Sequence, residues 1–220
     1  MAPTQTNTRI KYGLNVSVLL VILAAFFFNP LPVFAEEKGP SSSLPDLASF
    51  VQTVIDGQAG ALRGVYVPGV LAMPVVQQPS GNPVFVSTTD NEITEFAMAA
   101  EMGNVGLLAH NYLAGTSFFN LQLGQEVSLV HGDGHVEYFK VSRIERYQAL
   151  DPYSPYSEFR DLETGVTITA EELFRQVYRG ERHVTFQTCI EANGNSSWGR
   201  IFVIAEPKQI DGIRNLLSHP

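Results

Sequence analysis

From Asp46 onward the apolar residues Leu47, Phe50, Val51, Val54 and Ile55 recur at i, i+3, i+4, i+7 and i+8, which is one stripe along a helix, with Asp46 placed as N-cap and Gly57 as stop signal. Helical spacing returns at 91–102, where Ile93, Phe96, Ala97 and Ala100 precede Gly103, and at 170–179, where Thr169 and Glu172 have capping-box spacing. Elsewhere the pattern is that of strands. Segments 63–67, 70–77, 83–87, 105–110, 126–131, 135–147, 183–190 and 200–205 are short, rich in Val, Ile, Phe and Tyr, and separated by Gly, Pro or Asp/Asn. His131-Gly132-Asp133-Gly134-His135 reads as a hairpin tip joining two of them. Many short strands with few helices predict a mainly β domain, a small barrel or sandwich, and strand and helix alternate too little for a parallel α/β sheet.

Ahead of this body the chain changes character. Arg9 and Lys11 precede an apolar stretch from Leu14 to Phe28 and then Asn29-Pro30-Leu31-Pro32-Val33-Phe34-Ala35, the order of parts in a secretory signal peptide. A spanning helix needs about 20 apolar residues. The stretch here is shorter, holds Asn15 and Ser17 and is closed by two prolines, so an uncleaved anchor is the lesser reading of residues 1–35. Residues 36–46, rich in Pro, Gly and Ser, read as a flexible linker, and 47–220 as one folded domain with its own core.

Charge narrows the partners. A net charge of −8 provides no basic face for nucleic acid and suits solubility outside the cell. The histidines and Asp133 of the 131–135 turn invite a metal reading, but no further ligand follows in the sequence, so neither metal nor cofactor is expected.

Cys189 is the only cysteine, so an exported chain carries an unpaired thiol: an inert core sulfur, an intermolecular link or a reactive group. If 183–190 and 200–205 form an antiparallel hairpin across the loop 191–199, Cys189 ends one strand where Arg200 begins the next, and directly opposite residues have Cβ atoms about 5 Å apart. A thiol has an ordinary pKa of about 8.5, and enzymes that use one supply a base and a group to hold developing negative charge. Arg200 is the candidate for the charge. His110, which closes the apolar strand Val105–Ala109, is the best-placed base, since His183 is six residues from Cys189, about 20 Å along a strand, and His219 lies next to the C-terminus. Trp198, the only tryptophan, falls in the expected loop beside the thiol as a ligand-facing wall or a plug.

These residues resemble those of the sortases, exported bacterial cysteine transpeptidases. Thr185-Phe186-Gln187-Thr188-Cys189 matches the sortase T-L-x-T-C motif with Phe for Leu, Arg200 follows on the next strand, and Gly106-Leu107-Leu108-Ala109-His110-Asn111 resembles the strand that ends in the sortase histidine. Phe119, Leu121, Leu123, Gly124, Glu126 and Val127 resemble the stretch that follows it. The resemblance spans about residues 63–206. It implies a closed eight-stranded β-barrel with a few short helices, and cleavage of an LPxTG-like sorting signal with transfer of the acyl group to an amine. Cys189 would be the nucleophile, His110 the acid and base and Arg200 the oxyanion or peptide clamp, with Thr188 and Trp198 lining the substrate. Implied partners are surface proteins with a C-terminal sorting signal and an amine acceptor such as a cell-wall peptide. The protein would be a monomer outside the cell or at its surface, where an uncleaved N-terminus would anchor it. The stretch from about 148 to 182 matches the long sortase loop that reads the sorting signal. Alternatives left open are an L,D-transpeptidase-like or other wall-acting cysteine enzyme, whose nucleophile follows an S-x-G-C pattern unlike Gln187-Thr188-Cys189, and a non-catalytic secreted binding barrel with a buried thiol.

Overall fold

The first described element grows from the amphipathic stripe at 47–55. In the computed structural model, described over residues 44–208, helix α1 (Leu47–Val54) starts where Asp46 accepts from the Ser49 amide at 2.8 Å, and it buries Phe50. The ring lies against Gly64, where a β-carbon would sit 2.9 Å from it. The leader 1–35, most of the linker 36–46 and His219 lie outside the described residues. No described helix is long and apolar enough to cross a membrane.

The sheet follows. Strands β1 (Leu62–Val67) and β2 (Leu71–Gln77) form a hairpin through Gly69 at φ 72°, then β3 (Ile93–Glu95), helix α2 (Ala97–Glu101), β4 (Val105–Leu108) and a 3-10 helix (Ala114–Asn120) lead to β5 (Glu126–His131). The long β6 (Val136–Ala149), short β7 (Phe159–Asp161) and β8 (Thr167–Ile168), helix α3 (Ala170–Tyr178), β9 (Val184–Ala192) and β10 (Asn195–Pro207) complete the chain. Neighbours run β10-β9-β4-β3-β2-β1-β5-β6, and β6 pairs back onto β10. Eight strands therefore close a barrel, as the sortase resemblance implies, and closure leaves none of those eight as an edge. The first part of β6 pairs with β5 and its end, Tyr147–Ala149, with β7, so the small β7–β8 hairpin extends the wall where β5 has ended.

Alternation along the strands sorts two cores. Val105, Leu107, Val184, Phe186, Ile201 and Val203 fill the barrel interior. The opposite face of the same strands carries Phe202 and Ile204 and is covered by Leu173, Val177 and Tyr178 of α3 with Ala99 of α2. Helix α3 is fixed by the expected capping box: Thr169 Oγ1 accepts from the Glu172 amide at 3.2 Å, and Glu172 accepts from the Thr169 amide at 2.9 Å.

Four expectations are corrected. Residues 83–87 form no strand, because the Gln78 amide satisfies the carbonyls of Pro83 and Phe85 at 3.1 and 2.9 Å in place of a neighbouring strand. The helix expected over 91–102 begins with strand β3, since Ile93 and Thr94 are drawn into parallel pairing with β2 and are fully buried; only Ala97–Glu101 is helical. The loop expected over 191–199 shrinks to a tight turn at Asn193-Gly194, whose φ values of 53° and 73° match a type I′ hairpin. Trp198 consequently lies on β10, in the stretch where its register with β9 shifts.

Candidate active site

The parallel pair β4–β9 and the hairpin β9–β10 set the site. Cys189 is directly opposite Arg200 in the β9–β10 ladder, which confirms the register assumed from sequence. In the parallel ladder Leu107 and Leu108 face Phe186 and Gln187, and Ala109 extends it by donating to the Gln187 carbonyl at 3.3 Å. Two steps beyond the last paired residue, position 110 comes level with position 189.

The faces agree as well as the levels. Because side chains alternate, the inward set 105 and 107 on β4, 184 and 186 on β9 and 201, 203 and 205 on β10 puts Cys189 and Arg200 on the outward face, and His110 stands two residues past the end of β4. Cys189 and Arg200 form a row across adjacent strands spaced about 4.8 Å apart. Tyr147, opposite Arg200 on β6, extends the row. Its hydroxyl donates to Glu145 at 3.1 Å and accepts from Gln176 of α3 at 2.8 Å, and burial together with Glu145 raises its pKa above the ordinary phenol value.

Below this row on the same face lie Leu108, Gln187 and Phe202. Gln187 accepts from the Tyr178 hydroxyl at 2.5 Å, and burial alone drives the Tyr178 phenol pKa far up, which keeps it a neutral donor. The floor beneath the thiol is thus one carboxamide set between apolar neighbours and backed by α3.

His110, Cys189 and Arg200 are all half-buried. Cys189 is a free thiol. Arg200 donates Nη1 to the carbonyls of Ser197 at 3.0 Å and Gly199 at 2.8 Å, which curls the guanidinium over the start of its own strand, and it makes no ion pair with a described carboxylate. A guanidinium anchored by main-chain carbonyls and lacking a counter-charge is suited to hold an anion.

The histidine segment is tied to the cysteine strand by a residue that sequence reading assigned to the substrate. Thr188 is buried, points into the barrel and donates its hydroxyl to the Ala109 carbonyl at 2.8 Å. Gly115 of the 3-10 helix presses on the same spot: a β-carbon there would lie 2.7 Å from the His110 carbonyl and 3.0 Å from that of Ala109, besides meeting the Thr188 hydroxyl. Asn111 donates to the Ser196 carbonyl at 3.1 Å and ties the segment to β10 as well. Trp198 is half-buried on β10, two residues ahead of Arg200.

Two other histidines have structural surroundings. His131 is paired with Glu137 at 2.7 Å, and Asp133 accepts from the His135 amide at 2.9 Å to close the turn. A cavity of about 480 Å³ lined by Glu126, Val136, Tyr138, Phe139, Arg182 and Lys208 does not include any of the row's residues. Sequence reading missed Tyr112, whose ring stacks on His110 with centroids 5.2 Å apart and planes 18° apart. Its only signal was an aromatic two residues beyond the histidine.

No family model matches the chain, and no curated protein matches it. Solved structures similar to it include sortase A of Listeria monocytogenes, at 13% identity over 70% of this chain and 89% of that one, with a TM-score of 0.43. A lid mutant of Streptococcus agalactiae sortase C1 shares 16% identity over 74% and 82% of the two chains with a TM-score of 0.44. The Clostridium perfringens sortase D5 transpeptidase shares 15% over 74% and 88%, with a TM-score of 0.43. These three solved structures are sortases.

Proposed function

We propose that the protein is an exported sortase-type cysteine transpeptidase acting at the cell surface. What supports this is the direct opposition of Cys189 and Arg200 in the β9–β10 ladder, with His110 two residues past the end of β4, the strand that pairs with β9. The matching order of these residues in the T-F-Q-T-C and G-L-L-A-H segments adds to it.

The chemistry follows from what each group can do. The Cys189 sulfur, its proton passing to His110, attacks the carbonyl of the Thr–Gly bond of an LPxTG-like signal. The carbonyl π electrons move to oxygen, and Arg200 balances that negative charge. As the tetrahedral adduct collapses, the C–N bond breaks, His110 returns its proton to the departing amine and a thioester to Cys189 remains. An amine on a cell-wall peptide then attacks the thioester, His110 takes its proton, and the thiol leaves with that proton as the new amide forms. Arg200 serves both halves because the same oxygen carries the charge each time.

The leader over residues 1–35 supports export, and the acidic net charge suits an extracellular surface. The donors of the substrate are surface proteins bearing a C-terminal sorting signal. The test is transfer of a sorting-signal peptide library to added amines. Cys189→Ala is expected to lower transfer by at least about 1000-fold. Retention of transfer in that variant defeats the assignment.

A further inference from the structure

A cysteine–histidine pair needs its base held in one orientation, and that task ordinarily falls to a third group that hydrogen-bonds the far ring nitrogen. Among the described residues, hydrogen bonds to histidine ring nitrogens are made by His131 and His183, not by His110. The main chain of His110 is well fixed. Its carbonyl accepts from the amides of Leu113 at 3.0 Å and Gly115 at 3.1 Å, and its neighbours Ala109 and Asn111 are tied to β9 and β10. What the backbone leaves free is rotation of the imidazole about χ1 and χ2.

Tyr112 addresses that freedom. The turn closed by the Leu113–His110 bond brings residue 112 back beside residue 110, and the two rings lie nearly parallel, 18° apart, at a centroid distance of 5.2 Å. Tyr112 is 68% exposed, so core burial does not dictate where its ring lies, and the imidazole is the aromatic ring it stacks on. Stacking fixes the plane of a ring while leaving its in-plane nitrogens open, unlike a hydrogen-bonding partner, which occupies one. A base that must accept a proton from sulfur, hand it to one amine and take another from a second amine benefits from that difference.

We infer that Tyr112 is the positioning residue for His110: its aromatic face holds the imidazole plane toward Cys189 in place of the usual orienting carboxylate or amide. The inference rests on the transpeptidase reading above and concerns the ring, not the phenol hydroxyl.

The test compares Tyr112→Ala with Tyr112→Phe in two measurements. In steady-state transfer of a sorting-signal peptide, Tyr112→Ala is expected to lower kcat by roughly 10- to 100-fold with KM within about twofold, and Tyr112→Phe to restore most of the rate. In NMR spectra of histidine-labelled protein, with His110 assigned by its loss in His110→Gln, the imidazole protons are expected to shift downfield in Tyr112→Ala as the stacked ring is removed and to stay in place in Tyr112→Phe. Unchanged kcat in Tyr112→Ala, unmoved imidazole resonances, or a Phe variant as poor as the Ala variant each overturns the proposal. A wild-type protein that transfers no sorting peptide defeats the transpeptidase reading by itself, while the imidazole resonances still decide whether Tyr112 holds the ring.

Discussion

Strands β4 and β9 run parallel, so the pair has a common start and a common finish, and the two ends are built on opposite terms. At the start every polar group is consumed. Asn104, 2% exposed, donates to the Tyr178 carbonyl at 2.9 Å and accepts from the His183 amide at 2.8 Å. The His183 ring nitrogens lie 2.7 and 2.9 Å from the carbonyls of Glu181 and Val177, and Thr185 also donates to Val177. At the finish stand His110 and Cys189, half-buried, the imidazole nitrogens without a described partner and the sulfur free. The same two strands thus carry one histidine whose ring nitrogens both face main-chain carbonyls and another whose ring nitrogens have no described partner.

The sharpest way to break this contrast is to exchange the consequences of mutation at the two ends. His110→Gln is expected to reduce peptide transfer by about 1000-fold or more while leaving thermal unfolding unchanged. A large loss of Tm with intact activity per folded molecule would put His110 in the structural class instead.

Asn104→Ala should do the reverse. It strands the Tyr178 carbonyl and the His183 amide, both buried, and is expected to cost about 2–4 kcal/mol of unfolding free energy, read from denaturant midpoints. Transfer by the remaining folded protein should be retained, because the lesion lies at the far end of both strands. Loss of turnover without loss of stability would show that the two ends are coupled.

The smallest effect is expected at Glu95, which shares the inward face of Ile93. Burial raises its pKa, against the opposing pull of the His131, Arg182 and Arg63 charges. The folded state therefore holds the Glu95 proton more tightly than the unfolded chain, whose value is near 4.5. Its stabilising contribution is complete below that value and is lost as pH rises through the higher folded pKa. Glu95→Gln is accordingly expected to raise Tm modestly at pH 7, with the gain vanishing toward the acid side of the window. A lower Tm at pH 7 would mean that attraction to those cations outweighs desolvation.

How much of this was legible in the sequence depends on how local each signal is. The opposition of Cys189 and Arg200 was expected because one β-rich run ends at 190 and the next begins at 200; the turn at Asn193-Gly194 alone would set Cys189 against Trp198, and the register shift between Asn195 and Gly199 brings Arg200 there instead. The helix at 170–178 was readable from its capping box. The start of β3 was not, since Ile93, Phe96, Ala97 and Ala100 fit a helical stripe and only pairing with β2 makes Ile93 and Thr94 extended. The contact of β4 with β9 joins segments far apart in the chain, so spacing alone offered His110 as a strand-end candidate without its neighbour. Trp198 was misread for the opposite reason: its surroundings, Asn195, Ser196, Ser197 and Gly199, have loop composition, yet the tight turn lets β10 begin at Asn195. Thr188 was legible as part of a motif but not as an inward-facing group, because which residues of β9 face the interior is decided by the barrel.

The hydrogen in place of a side chain at Gly115 has a mechanical meaning. Since that one position abuts both the carbonyl of the imidazole-bearing residue and the hydroxyl next to the thiol, any added bulk there would act as a wedge between the His110 segment and the strand that carries Cys189. Even the modest change to alanine would press on the His110 segment and on β9 at once while leaving imidazole and thiol chemically unaltered.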